Sequence, residues 1–327
     1  APPCVDMSSF AYRRPTSLDE ALALLQQPGS CALGGGTDLI PLIREGTVAP
    51  DVLVDVRRLP GAAVLAWRDD GSLHLGGGVR LATLARDPQL QAAFPALAQA
   101  CAAVGAEALR SMGTLAGNLG QRPRCWYFRH GWACLKRGGR GCPAATGENE
   151  YHAILSAGPC VAAHPSDPAV ALTALDAVVH LAGHDGRRDL PISAFYAAAG
   201  HDPVREAAME AGEVITGITL PASARRGDQW FEKVTQRGAF DFALVSLAAN
   251  RRDDGEVRLV LGGVAPGPWR VSDSIEEDVA SGGLADDDIE TLAARALYDA
   301  RPLAGNAYKV ELATAVLRRG IARLARR

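Results

Sequence analysis

Apolar residues recur at helical spacing from Leu18 to Leu25, directly behind Ser17, a residue type that caps helix starts. This predicts a helix over 17–27. "SCALGGG" reads as a short strand entering a glycine turn, "TDLIPLIREG" as a short helix closed by Gly46, and Asp51 to Val56 as the next strand. Together they form a small βαβ-like unit with its glycines at a strand end. A hairpin turning at Asp70-Gly71 is expected over 61–78. The pattern is helical from Leu81 to Gly105, interrupted at its prolines, then helix into strand from Pro168 to Gly183, then a strand stopped by Pro221. A polar break at Arg225–Gln229 is the expected domain boundary. Beyond it, "WFEKVTQR", "ALVSLAANRR" and "VRLVLGGVAP" alternate like antiparallel strands or a strand and helix pair. Two amphipathic helices, near 286–300 and 306–323, finish the chain, which shows no internal repeat.

Composition narrows the function classes. The chain has 327 residues, 48% hydrophobic and 22% charged, with a net charge of -3. That is ordinary for a globular enzyme of two domains, and implies no bulk attraction to nucleic acid or anionic membrane. No apolar run approaches the ~20 residues of a membrane span. "APPCVDMSSFAYRRP" lacks the apolar core of a signal peptide, so export would depend on another carrier. Seven cysteines, an odd number in a long chain, argue against a small disulfide scaffold.

Two glycine-rich segments stand out. "LGGGTDL" (Leu33 to Leu39) is neither the dinucleotide fingerprint nor a P-loop, yet consecutive glycines let backbone N–H groups converge on a phosphate. "GTLAGNLG" (Gly113 to Gly120) offers a second such surface, with Thr114 and Asn118 as polar side chains. Either alone reads equally as a tight turn. A third segment, "HPSDPAV", puts Asp167 at a helix start, where a plain N-cap aspartate is the simpler reading.

The cysteines raise a different chemistry. Eight residues separate Cys125 from Cys134, seven separate Cys134 from Cys142, and seventeen separate Cys142 from Cys160. Zinc sites usually pair ligands more closely, whereas an iron–sulfur cluster accepts wider intervals. The segment 122–142 has six Lys or Arg and no Asp or Glu, which would offset thiolate charge. Trp126, Tyr127, Phe128 and Trp132 are candidates for an apolar shell. Disulfides in an exported loop, or unrelated buried thiols, remain open readings. Cys31 and Cys101 read as core residues, and Cys4 as part of an N-terminal tail.

Several segments carry a family resemblance: "ALGGGTDLIPLI", "GTLAGNLGQRPRC", "CLKRGGRGC", "CVAAHPSDPAVAL", "EKVTQRGAFDFALVSLAA" and "LGGVAPGPWR". The chain resembles the FAD-binding (medium) subunit of the molybdenum hydroxylases, the xanthine dehydrogenase group. It is most similar to the FAD subunit of bacterial periplasmic-type aldehyde oxidoreductases. The cysteine insertion is the selective feature, because simple members lack it.

That resemblance implies an α+β fold: a two-subdomain FAD-binding domain over 1–224 (subdomains about 1–58 and 59–224, with an iron–sulfur loop over 122–163), then a smaller domain over 225–327 with an antiparallel sheet and a helix bundle. It implies that Leu33, Gly34, Gly35, Gly36, Thr37, Asp38 and Leu39 cradle the FAD pyrophosphate with Thr114, Gly117 and Asn118. Asp167 would meet the ribityl or ring region, and Lys233 the flavin edge. Without the resemblance, Lys233 reads as a solvated strand charge. Cys125, Cys134, Cys142 and Cys160 would ligate a [4Fe–4S] cluster. The implied partners are a large molybdenum-cofactor subunit, a small subunit with two [2Fe–2S] clusters and an external electron acceptor. The compartment would be periplasmic by co-export with a partner, or cytoplasmic. A 4-hydroxybenzoyl-CoA reductase or xanthine dehydrogenase subunit, and a non-catalytic metal-binding scaffold, are the alternatives.

Overall fold

The computed structural model describes residues 9–325; Cys4 lies outside them. Three sheets order the chain. The first holds β1 (Ala11–Arg13), β2 (Ser30–Leu33) and β3 (Val52–Asp55) in the order β1-β3-β2, with both pairings parallel. Neighbouring residues of β3 point to opposite faces. Leu53 packs with Leu33 and Ile43 on one side, and Val54 with Ala21 and Leu25 on the other. The helix Leu18–Leu25 starts where expected, Ser17 accepting from Glu20 N at 3.2 Å.

The second sheet is antiparallel, in the order β4-β5-β8-β6-β7: β4 (Leu65–Trp67), β5 (Leu73–Gly76), β6 (Val178–Gly183), β7 (Gly186–Pro191) and β8 (Val214–Leu220). The hairpin turns at Gly71, whose φ of +84° suits glycine. The sheet's apolar face packs on the helices Leu81–Arg86, Pro95–Ala102 and Asp167–Ala174. The run from Leu81 does break at its prolines, each of which opens a new helix at Pro88 and Pro95.

The third sheet, β12-β11-β10-β9, is also antiparallel and comprises β9 (Asp228–Val234), β10 (Val245–Arg251), β11 (Val257–Gly262) and β12 (Trp269–Arg270). Its strands resolve the strand-or-helix ambiguity of that region in favour of strands. Leu247, Ala249, Leu259 and Leu261 face the C-terminal helices, while Ala248 and Val260 face the core of the second sheet. Helix Asp167–Ala174 lies between the two sheets, and all eight of its residues are buried. The C-terminal bundle has three helices, Asp273–Ser281, Asp286–Ala296 and Tyr308–Ala325. The first was not expected. Its residues carry little net hydrophobicity, and only Ile275, Glu276 and Val279 are buried. The sequence pattern does not signal β1 or β7 either: β1 is three residues long, and "GRRDLP" has no apolar alternation.

Candidate functional site

Strand β2 runs into Gly34-Gly35-Gly36. Gly36 has φ +75°, a left-handed conformation that glycine adopts freely. Gly35 is required for a different reason: a Cβ there would collide with the backbone carbonyl of Met112. A Cβ on Gly34 would come to 2.8 Å from Thr114 Oγ1. The two glycine loops therefore lie against each other with no room for side chains between them. Thr114 caps the helix Leu115–Leu119, its hydroxyl accepting from Gly117 N at 3.2 Å.

These loops form one wall of a cleft of about 1030 Å³, in which Gly34, Gly35, Gly36, Thr37, Asp38, Leu39, Thr114 and Gly117 are all exposed to the cavity. Arg57, His74, His180 and Ile215 line other parts of it. The size suits a dinucleotide, at the upper end of the ~300–1,000 Å³ typical of ligand sites. Leu33 and Asn118 stand behind this wall. Leu33 is core, and Asn118 Oδ1 accepts from the Ser166 hydroxyl at 2.6 Å, tying the second loop to the buried helix.

Asp38 would repel a phosphate if its charge were free, but it is not. Its carboxylate pairs with Arg124, and with Arg129 at 2.7 Å, and it accepts from Arg122 N at 2.8 Å. Burial pushes its carboxyl up, and the Arg124 and Arg129 guanidiniums overcome this to hold it below the usual range. Asp38 thus fastens the glycine cradle to the segment that begins the cysteine loop.

Asp167 and Lys233 do not line the cleft. They form a buried ion pair at 2.8 Å, and Lys233 Nζ also donates to Ala103 O at 3.0 Å. The solvated-charge reading of Lys233 is therefore wrong, since its side chain is only 8% exposed. The N-cap reading of Asp167 is wrong too: Ser166 is the cap, accepting from Ala169 N at 3.1 Å. Burial pushes Asp167 up to about 6, against the pull of Lys233.

Cys125, Cys134, Cys142 and Cys160 line a single small internal cavity of about 10 Å³, together with Tyr127, Phe128, Lys136 and a few small apolar residues. All four are free thiols, and no carboxylate lines the cavity. Cys142 and Cys160 act on each other across the cavity, which lowers the Cys142 thiol and raises that of Cys160. His152 Nε2 lies 3.3 Å from Cys125 Sγ. The expected apolar shell is only half present: Phe128 is buried, but Trp126 and Trp132 are 59% and 57% exposed.

The cations also serve a purpose other than the one expected. Four of the six in segment 122–142 reach carboxylates elsewhere: Arg124 and Arg129 take Asp38, while Arg122 and Lys136 take Glu206 at 2.9 and 2.8 Å. They pin a loop with little regular structure to the body, and Lys136 alone among them also lines the thiol cavity. Cys101 is fully buried core, as expected, whereas Cys31 sits half-buried on the cleft wall. Sequence reasoning missed His152, because a lone histidine in "NEYHAIL" carries no spacing signal.

A glycine cradle on a parallel βαβ unit faces an antiparallel five-stranded sheet across a cleft sized for a dinucleotide. Residues 8–223 match the family model described as the FAD binding domain in molybdopterin dehydrogenase. The chain belongs to this family, the FAD-binding subunits of the molybdenum hydroxylases. It is 36% identical to the aldehyde oxidoreductase FAD-binding subunit PaoB of Escherichia coli, over 95% of this chain and 96% of that one. It is 28% identical to the carbon monoxide dehydrogenase medium chain of Hydrogenophaga pseudoflava, over 79% of this chain and 75% of that one. In fold it matches a chain of quinoline 2-oxidoreductase from Pseudomonas putida 86 with a TM-score of 0.75, covering 98% of both chains at 23% identity. The chain is an oxidoreductase subunit of aldehyde oxidoreductase-like type. No helix among the described residues is long and apolar enough to cross a membrane.

Proposed function

We propose that this chain is the FAD- and [4Fe–4S]-containing electron-transfer subunit of a heterotrimeric molybdenum hydroxylase that oxidises aldehydes. Electrons would arrive from a large molybdenum subunit through the two [2Fe–2S] clusters of a small subunit, and leave for an external acceptor. The observation that carries this reading is the convergence of four free thiols on one cavity, joined through Arg124, Arg129 and Asp38 to the glycine cradle.

The backbone of Gly34–Thr37 would hold the FAD pyrophosphate, its N–H groups unobstructed by side chains, while the Thr114–Gly117 turn would back it, the N–H groups of Leu115, Ala116 and Gly117 being bonded within the protein. When bound, FAD supplies the exchange between one-electron carriers and a two-electron acceptor. The chain's own part is to bind, orient and set potential. Four thiolates lining one cavity would suit an iron–sulfur cluster, each sulfur meeting a different iron. The all-thiol donor set and the buried Phe128 fit the same group.

The test is composition. The full chain, purified without oxygen, should carry one FAD and about four irons. Stoichiometric zinc with iron near zero sinks the cluster, and a colourless protein sinks the flavin role.

A further inference from the structure

We propose that His152 is a positioning residue of the thiol cage, donating a hydrogen bond from Nε2 to the sulfur of Cys125 and thereby setting the reduction potential of the cluster held there. The proposal rests on the cluster reading above.

His152 is 6% exposed, and its Nε2 lies 3.3 Å from Cys125 Sγ. Its other ring nitrogen, Nδ1, is buried and has no partner. That asymmetry fixes where the hydrogen must be. A proton on Nδ1 alone would orphan a buried N–H and turn a lone pair toward the sulfur. A proton on Nε2 leaves only a lone pair unsatisfied, the smaller penalty. A ligating Cys125 is a thiolate, which can only accept, so the contact demands an Nε2–H whatever the state of Nδ1.

The backbone that bears the ring is also held. His152 N donates to Asn149 O at 3.0 Å, and His152 O accepts from Asn306 Nδ2 and from Lys309 Nζ, both at 3.1 Å. Lys309 is fully buried and also donates to Tyr151 O at 2.9 Å and Gly263 O at 2.8 Å. The backbone that carries the imidazole is thus anchored to the C-terminal helix. Reduction adds negative charge to the cluster and its thiolates. A fixed donor stabilises the reduced form more, and the potential rises.

The experiment compares the full chain, purified without oxygen, as wild type, His152→Leu and His152→Gln. Iron is counted, and the cluster is titrated potentiometrically by electron paramagnetic resonance. Iron should be equal in all three. At the wild-type midpoint, the reduced-to-oxidised ratio in His152→Leu should fall about tenfold, a downward shift of about 59 mV for a one-electron couple. His152→Gln, which restores an N–H donor, should lie nearer the wild type. One midpoint shared by all three overturns the hydrogen bond. Equal iron loss from both variants overturns it as well, leaving a packing role. A wild type without iron overturns the cluster reading, and this proposal with it.

Discussion

The glycine cradle and the cysteine cage lie on either side of Asp38 and are built on opposite principles. The cradle works by the absence of side chains. Gly34 and Gly35 let one loop rest on Met112 and Thr114 of the other, so its specification is local, and a single Cβ is an error. The cage works by side chains brought from Cys125, Cys134, Cys142 and Cys160 along a loop with only short helical turns. Its backbone is free to vary, and what must be exact is the anchoring, done by ion pairs that reach Asp38, Glu45 and Glu206. One site is protected by tight packing, the other by electrostatic tethers.

Substitutions can break this comparison, the largest effect coming first. If the proposed cluster is held there, Cys134→Ser and Cys142→Ser should each take iron from about four per chain to near none and loosen the loop, because cluster binding would then be folding energy. Cys101→Ser, in the core away from the cage, should keep full iron. Iron assays that cannot tell these three variants apart would remove the distinction between ligand and spectator.

Gly35→Val should come next. Overpacking between the two loops costs about 1–3 kcal/mol, and charged to the FAD-binding geometry this lowers flavin affinity about ten- to a hundredfold. Flavin absorbance after gel filtration reads it, with iron unchanged. Unaltered flavin content would mean that the loops have room to separate.

Asp38→Ala tests the hinge between the sites. It leaves Arg129, whose side chain is 9% exposed, with only Glu45 at 3.4 Å, and Arg124 without its carboxylate. A loss of about 3–5 kcal/mol is expected in urea unfolding, at the level seen when one partner of a buried pair is removed. Both flavin and iron occupancy should fall together. Loss of only one cofactor would show that the two sites are not coupled through this residue.

The smallest effect is in pH. Asp167 titrates at about 6 in the folded chain and near 3.8 unfolded. A raised carboxyl means the folded state binds the extra proton between those values. The stabilisation it gives is therefore full below about 4 and lost as pH rises through about 6. The stability difference between wild type and Asp167→Asn should change by about 2–3 kcal/mol between pH 4 and 7, at about 1.4 kcal/mol for each pH unit that separates the folded from the unfolded titration. A difference that stays constant across that range would place Asp167 in an ordinary solvated setting.

Much of the fold was legible because local signals agreed with tertiary demands. Ser17 caps its helix, Pro88 and Pro95 punctuate theirs, and Pro221 follows the last residue of β8. The glycine cradle was legible for the same reason, since its requirement is written in consecutive residues. What escaped was non-local. Nothing in the residues around Asp38 announces that its partners come from Arg124 and Arg129, more than eighty positions away. The six cations of the cysteine loop invited a charge-balancing account, and four of them proved to be fasteners. The cysteine set could be guessed from spacing and resemblance, but His152 could be found only by geometry.

The grip of the last helix on the stretch before it has a consequence for biosynthesis. Gly305, Asn306, Tyr308 and Lys309 all hydrogen-bond the backbone or side chains of residues 149–153, the strip that carries His152. These residues leave the ribosome about 150 positions after Cys160. At ~5–20 residues per second, the thiols wait ~7–30 s before the clasp that finishes their surroundings exists. An alkylation pulse on chains arrested before Gly305 should find the four cysteines reactive, and on released chains, shielded.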